Sequence, residues 1–349
     1  MSDPLRVAVV GSGHLGAIHA RVYAEVAEAQ LVAVCDTDTA RAAQTAERYG
    51  SRVLEDYREL AGKVDAVSVA TPTQSHYEIS RFFLEHGVPV LVEKPITTTL
   101  EEAQDLVRIS REQGVTLMVG HVERFNPALK ALLDEVRHAR FVEAHRLSPY
   151  RFRSTDIGVV LDLMIHDIDI ILAVTGSEVT EVRAAGCNII TPKHEDIANA
   201  RLTFANGCVA NITASRISQQ PMRKIRFFTP EAYVTVDMHK REAYIYRKSE
   251  KFKGLDPSTI DVSQIGDPLY WVFHEFIQME KVQIEEEEPL KAEIRDFLSA
   301  VRDHSEPRVP GEHGMRAIKV AFEVLAEMEK NYRAAASGIH QSGEAGSSG

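Results

Sequence analysis

The chain has 349 residues, enough for two ordinary domains, and its 44% apolar and 26% charged residues are those of a folded globular protein rather than a disordered one. Forty Lys and Arg against 51 Asp and Glu give a formal net charge of −11, which excludes general affinity for nucleic acid or for an anionic membrane surface. No apolar run reaches the length of a membrane span, and Met1-Ser-Asp-Pro4 leads straight into a strand without signal-peptide architecture. Cys35, Cys187 and Cys208 show neither paired nor metal-ligand spacing, so the expected compartment is the reducing cytoplasm. Asn211-Ile-Thr213 is then irrelevant as a glycosylation match.

In chain order, the apolar runs Leu5–Val10, Leu31–Cys35, Ala66–Ala70, Val88–Val92 and Thr116–Val119 read as strands. Helix-period segments such as His14–Val26 and Leu100–Gln113 lie between them and are long enough for right-handed crossovers, which predicts parallel pairing in a doubly wound sheet. Thr99 before Leu100-Glu-Glu102 fits an N-cap, and Gly114 fits a helix stop. After a linking helix near Pro127–Arg137 the texture becomes strand-like: Phe141–Leu147, Val179–Ile190, Ala198–Ala205, Cys208–Ser215, Ile225–Phe228, Tyr233–Met238 and Tyr244–Arg247. An antiparallel sheet follows, with Asn206-Gly207 as a hairpin turn and the helix Ile157–Thr175 interrupting the series. Leu290–Val301 and Gly314–Tyr332 return to helical periodicity around Pro307, Pro310 and Gly311. The expected class is α/β: a Rossmann-type domain over 1–121, an α+β domain with a largely antiparallel open sheet over 122–335, and a Gly/Ser-rich disordered tail over 336–349. The acidic run Glu285–Glu288 reads as a solvated face.

Gly11-Ser12-Gly13-His14-Leu15-Gly16 follows the first strand and opens a helix. In that context the first glycine allows the tight turn, the second lets the backbone approach a pyrophosphate, and the third lets helix and sheet pack closely. Asp36 ends the second strand, where a carboxylate accepts from a ribose hydroxyl and repels a 2′-phosphate. NAD is the expected cofactor; Arg41, five residues on, keeps NADP open. His14 lies in the phosphate loop, although a loop histidine is more often a neutral surface residue.

Ligands of such sheets sit at the carboxyl ends of the strands. Thr71-Pro72 and Glu93-Lys94-Pro95 are at such ends, and a lysine there is either an exposed trim charge or part of a site. Pro95 stops the strand and fixes the backbone direction, a place for a cis bond. In the predicted helix Ile157–Thr175, Asp162 and His166 are four apart on one face, so the carboxylate can orient the imidazole as a general base requires. Asp167 and Asp169 point away from His166, and no metal is expected.

These motifs, with Pro310-Gly-Glu-His-Gly314 before a helix, resemble the glucose-fructose oxidoreductase/inositol dehydrogenase/MocA family over most of the chain. The resemblance implies a Rossmann domain followed by a largely antiparallel domain, with the motif lysine and histidine lining the cleft between them. It implies that Lys94 binds or polarises the reacting hydroxyl and contacts the nicotinamide ribose, and that His166 is the base, supported by Asp162. The cofactor set it implies is Gly11, Ser12, Gly13, His14, Leu15, Gly16, Asp36, Thr71, Pro72, His76, Glu93 and Lys94. It also implies a homo-oligomer, dimer or tetramer.

Gly120-His-Val-Glu-Arg-Phe-Asn-Pro127 and Leu161-Asp-Leu-Met-Ile-His-Asp-Ile-Asp169 look like the branch of that family that oxidises UDP-N-acetylglucosamine at C3. The second stretch is also similar to inositol dehydrogenases. The substrate set expected on this resemblance is Lys94, Arg124, Asn126, Arg151, Arg153, Asp162 and His166. Arg146, Arg151 and Arg153 cluster in an otherwise acidic chain and are candidates for holding a diphosphate, the alternative being ordinary surface arginines or inter-subunit ion pairs. An inositol or simple-sugar dehydrogenase, and a non-catalytic nucleotide-binding regulator on the same fold, are the other readings.

Overall fold

The computed structural model describes residues 3–150, 157–261, 263 and 265–344. Two compact units form: Met1–Asn126 with Glu287–Val320, and Pro127–Glu286 with Ala321–Gly349.

The first unit is built on β1 (Leu5–Val10), α1 (His14–Glu25), β2 (Ala29–Cys35), α2 (Thr39–Tyr49), β3 (Arg52–Leu54), β4 (Ala66–Val69), α3 (His76–Glu85), β5 (Val90–Glu93), α4 (Leu100–Gln113) and β6 (Leu117–Gly120). All pairs are parallel and the strand order is β3-β2-β1-β4-β5-β6, the Rossmann order with its switch point between β1 and β4. β4, β5 and β6 are buried at every position because helices cover both faces. α4 starts on a full capping box of Thr99 and Glu102 and stops at Gly114 with φ 64°.

The second unit contains α5 (Pro127–Lys130), α6 (Leu133–Val136), β7 (Phe141–Leu147), α7 (Ile165–Thr175), β8 (Val179–Cys187), β9 (Ile197–Phe204), β10 (Val209–Ser215), β11 (Met222–Phe228), β12 (Ala232–Asp237), β13 (Glu242–Lys248), α8 (Pro268–Trp271) and β14 (Ile277–Lys281). Its eight strands run β14-β13-β12-β11-β7-β10-β9-β8, antiparallel except for the β7–β10 pair. Alternation is clean: in β7 every second residue is buried while Phe141, Glu143, His145 and Leu147 are half-buried, as expected for a sheet with one packed face. Gly207, with φ 83°, turns the β9–β10 hairpin.

Four expectations change. The linking helix is two short helices, α5 and α6. The strand predicted to Ile190 ends at Cys187, because Asp196 Oδ2 accepts the backbone N–H groups of Ile189, Ile190 and Thr191 at 2.6–2.8 Å and folds the chain into a loop. The predicted helix from Ile157 begins with a π-helical turn over Val160–Met164. The final helices are longer than predicted, α9 covering Pro289–Asp303 and α10 Gly311–Glu344, so helix enters the segment read as tail. Within the first unit α9 packs against α1.

Candidate active site

The glycine loop is shaped by close contacts. Gly11 has φ 94°, and a Cβ there would lie 2.6 Å from the Ala70 carbonyl oxygen; a Cβ on Gly16 would lie 1.8 Å from that of Gly11. Gly13 has nothing within 4 Å, which leaves its face open to a ligand. It is also the N-cap of α1 and supplies no side-chain cap, so the first N–H groups of that helix are available to an anion. A cavity of about 570 Å³ runs from this loop past Asp36, Thr37 and Arg41 to Tyr57, Thr71 and Pro72, and His14 and Leu15 are among its lining. The residues therefore fit a dinucleotide: open amides for the pyrophosphate and a carboxylate-bearing pocket beyond.

Asp36 is more occupied than its motif suggests. Its Oδ2 accepts from Ser12 N at 2.7 Å, Ser12 Oγ at 2.8 Å and Arg41 Nη2 at 3.1 Å; its Oδ1 accepts from Asp38 N at 2.9 Å and Arg41 Nη2 at 2.9 Å. Burial pushes this carboxyl up, but Arg41 and the Ser12 and Asp38 donors outweigh it and bring the pKa down to about 2. Ser12, placed in the cofactor set by its motif, here donates through both N and Oγ to Asp36.

His76 is 1% exposed, with Nδ1 2.9 Å from the Pro95 carbonyl oxygen and Nε2 2.9 Å from that of Thr71. It ties the Thr71-Pro72 loop to the turn after Lys94, and both ring nitrogens face backbone. Burial lowers its pKa below the ordinary histidine value, against the pull of the two carbonyls. Lys94 is half-buried, and the Lys94–Pro95 bond is cis. Its backbone N donates to Glu93 Oε2 at 3.2 Å, while Glu93 Oε1 lies 2.9 Å from His19 Nε2.

In the second unit, Asp162 lies within the π turn and His166 in the first turn of α7. A π turn closes one residue later than an α turn, so the predicted α-helix opens here on a wider turn. What persists is the exposure: Asp162 and His166 are half-buried, whereas Met164, Ile165, Asp167, Ile168 and Asp169 are buried. Glu195 Oε1 accepts the Val160 N–H at 2.9 Å at the start of the turn, and Arg216 Nη2 donates to the Ile157 carbonyl at 2.6 Å. A Cβ on Gly158 would meet the Glu195 carboxylate at 2.0 Å.

Arg146 corrects the arginine cluster. It is 3% exposed and its Nε and Nη2 each donate to Asp167 at 2.9 Å, a buried bidentate pair joining β7 to α7 rather than a free diphosphate ligand. Arg151 and Arg153 lie outside the described residues. Arg124 is half-buried in a 3₁₀ turn, and Asn126, 4% exposed, donates through Nδ2 to Glu123 at 3.2 Å. Among the described residues no group of three or more His, Cys, Asp or Glu side chains is arranged to hold a metal ion. Sequence reasoning missed His19, Ser68, Glu195 and the Arg146–Asp167 pair; the one available signal was Ser68, a polar residue inside the apolar strand Ala66-Val-Ser-Val69.

Residues 5–121 match the model of an oxidoreductase family with an NAD-binding Rossmann fold, and residues 132–235 match the GFO/IDH/MocA C-terminal domain. The UDP-N-acetylglucosamine 3-dehydrogenase of Acidithiobacillus ferrooxidans is 36% identical over 326 residues, covering 93% of this chain and 97% of that protein. The chain belongs to the GFO/IDH/MocA oxidoreductase family. A solved structure of that A. ferrooxidans enzyme, GnnA, superposes with a TM-score of 0.83 over 93% of this chain and 98% of its own. The scyllo-inositol 2-dehydrogenase (NAD(+)) of Bacillus subtilis is 33% identical over 236 residues, covering 62% of this chain and 69% of that enzyme. As in the matched GFO/IDH/MocA family model, the cofactor is NAD. No helix among the described residues is long and apolar enough to cross a membrane.

Proposed function

We propose that this protein oxidises the C3 hydroxyl of UDP-N-acetylglucosamine with NAD, giving the 3-keto sugar nucleotide. The observation that carries the reading is the near full-length likeness to the A. ferrooxidans 3-dehydrogenase, in sequence and in fold. Inositol dehydrogenases match either a shorter share of the chain or, over 91% of it, at only 25% identity, which favours the sugar nucleotide.

NAD supplies a hydride acceptor at nicotinamide C4. The chain's own residues handle the oxygen: Lys94 donates a hydrogen bond to it, and His166, held by Asp162, takes the hydroxyl proton as the C–H bond breaks and the carbonyl forms. Gly11, Gly13 and Gly16 with the α1 amides seat the pyrophosphate, and Asp36 faces the ribose. Arg151 and Arg153, and Arg124, are assigned to the substrate diphosphate.

Reduced-nicotinamide absorbance on adding NAD with UDP-N-acetylglucosamine, myo-inositol or glucose, a transaminase trapping any keto sugar, tests this. Turnover of the sugar nucleotide that disappears in Lys94→Ala supports it; turnover of a free polyol alone sinks the substrate. Cofactor binding with no turnover points to a regulator.

The proposed setting is the cytoplasm, consistent with three free cysteines. We further propose a homo-oligomer formed through the half-buried face of the eight-stranded sheet, where the rings of Phe141, Phe228, Tyr233 and Tyr246 follow one another at centroid spacings of 4.9–5.5 Å. Light scattering at the monomer mass would refute it.

A further inference from the structure

A line of buried polar groups runs behind Lys94. Tyr23 OH lies 2.7 Å from Ser68 Oγ, Ser68 Oγ lies 3.2 Å from His19 Nδ1, and His19 Nε2 lies 2.9 Å from Glu93 Oε1. Tyr23 and Ser68 are fully buried, His19 is 1% exposed and Glu93 is 8% exposed. The groups come from α1, β4 and β5, and an apolar filling would have been the ordinary solution for such a core.

One proton assignment satisfies every member. Tyr23 O–H donates to Ser68 Oγ, Ser68 O–H donates to His19 Nδ1, and the single ring proton on Nε2 is donated to Glu93. The carboxylate then accepts at Oε1 from His19 and at Oε2 from the backbone N–H of Lys94 at 3.2 Å. Reversing the chain would need either a second ring proton or a protonated Glu93, and would leave the Tyr23 hydroxyl without Ser68 as its acceptor. Burial keeps the Tyr23 phenol protonated, and although burial alone would raise the Glu93 carboxyl, the hydrogen bond from His19 and the charge of Lys94 hold it below its ordinary value. Gly120 completes the seat: a Cβ there would meet the Glu93 carboxyl at 3.1 Å.

We infer that His19, with its tautomer set by Ser68 and Tyr23, is a positioning residue that locks the Glu93 carboxylate and through it the backbone of Lys94. The inference rests on the reading of Lys94 as the group that meets the reacting hydroxyl. His19 also stands on α1, the helix opened by the glycine loop, so the same side chain couples the cofactor's helix to the lysine's strand.

The test compares His19→Ala, His19→Gln, Ser68→Ala and Tyr23→Phe on whichever substrate the wild type turns over. His19→Ala is expected to lower kcat by about 10- to 100-fold, the scale of a slightly misplaced reacting group, with KM for NAD within about two-fold. Gln carries an amide N–H at the reach of Nε2, so His19→Gln should recover most of the loss. Ser68→Ala should fall between, since either tautomer becomes accessible, and Tyr23→Phe should be the mildest. Equal losses in His19→Ala and His19→Gln, or a change in KM for NAD alone, would overturn the inference.

A readout without substrate keeps this distinct from the proposed reaction. In protein carrying ¹³C-dimethylated lysines, the Lys94 signal, identified by its absence in Lys94→Arg, should shift in Ser68→Ala and His19→Ala and return toward the wild-type position in His19→Gln. An unmoved signal refutes the coupling even if UDP-N-acetylglucosamine proves to be the substrate. A moved signal sustains it even if the substrate is a polyol.

Discussion

Replacing Asp167 by Asn leaves the Arg146 guanidinium buried at 3% exposure without its carboxylate. Two N–H···O contacts of 2.9 Å define the pair. At an effective dielectric of ~20, unit charges that close attract by roughly 4–6 kcal/mol, most of which offsets the desolvation of both ions. Loss of one partner removes the attraction and keeps the remaining desolvation, so the single variants Asp167→Asn and Arg146→Met should each destabilise the second unit by about 3–5 kcal/mol. The double variant Arg146→Met/Asp167→Leu should lie near the wild type, because both penalties vanish together. The chain's single tryptophan, Trp271, lies in the second unit against Phe252 and Phe276, so urea titration followed by its fluorescence reports that unit selectively. With a slope of about 2 kcal/mol per molar urea, the singles should shift the midpoint down by about 2 M. Single variants costing under about 1 kcal/mol, or a double variant as unstable as their sum, would refute a desolvated ion pair.

Gly16→Ala places a Cβ 1.8 Å from the Gly11 carbonyl oxygen, so the loop must open, and NAD affinity by calorimetry should fall by about 10-fold or more. Arg41→Ala removes a cation that holds Asp36 at a pKa of about 2. The wild-type contribution is fully present above the unfolded carboxyl pKa of about 3.9 and is lost as pH falls toward about 2, so Arg41→Ala, with its higher folded pKa, should begin losing it at higher pH. The difference is about 1 kcal/mol or less because Arg41 is half exposed, and acid unfolding of the two proteins measures it. Removing Arg41 also removes a cation beside Asp36 that a 2′-phosphate would meet, so the kcat/KM ratio of NAD to NADP should rise.

Local rules carried the first unit. Strand runs, the glycine loop, the Thr99 capping box and the Gly114 stop each act within a few residues and appear where the sequence puts them. Three-residue β3 and the edge strand β14, whose Met279 and Glu280 are exposed, lack the apolar run that marks a strand. The supporting shell of the candidate site was not legible, since its partners lie far apart in sequence: His19 and Glu93 by 74 residues, Val160 and Glu195 by 35. Arg146 was misread for the same reason; proximity to Arg151 and Arg153 in sequence suggested a surface cluster, while its position on the inward register of β7 sends it to Asp167. The π turn leaves no mark on an apolar pattern that reads equally as α-helix.

The reacting carbon is the central claim, and UDP-N-acetylglucosamine deuterated at C3 tests it directly. Incubation with NAD should transfer the deuterium to the reduced nicotinamide, detected by mass spectrometry, and slow the reaction if hydride transfer limits the rate. Reduced cofactor carrying only protium, with turnover intact, would place the oxidation at another carbon and contradict the account.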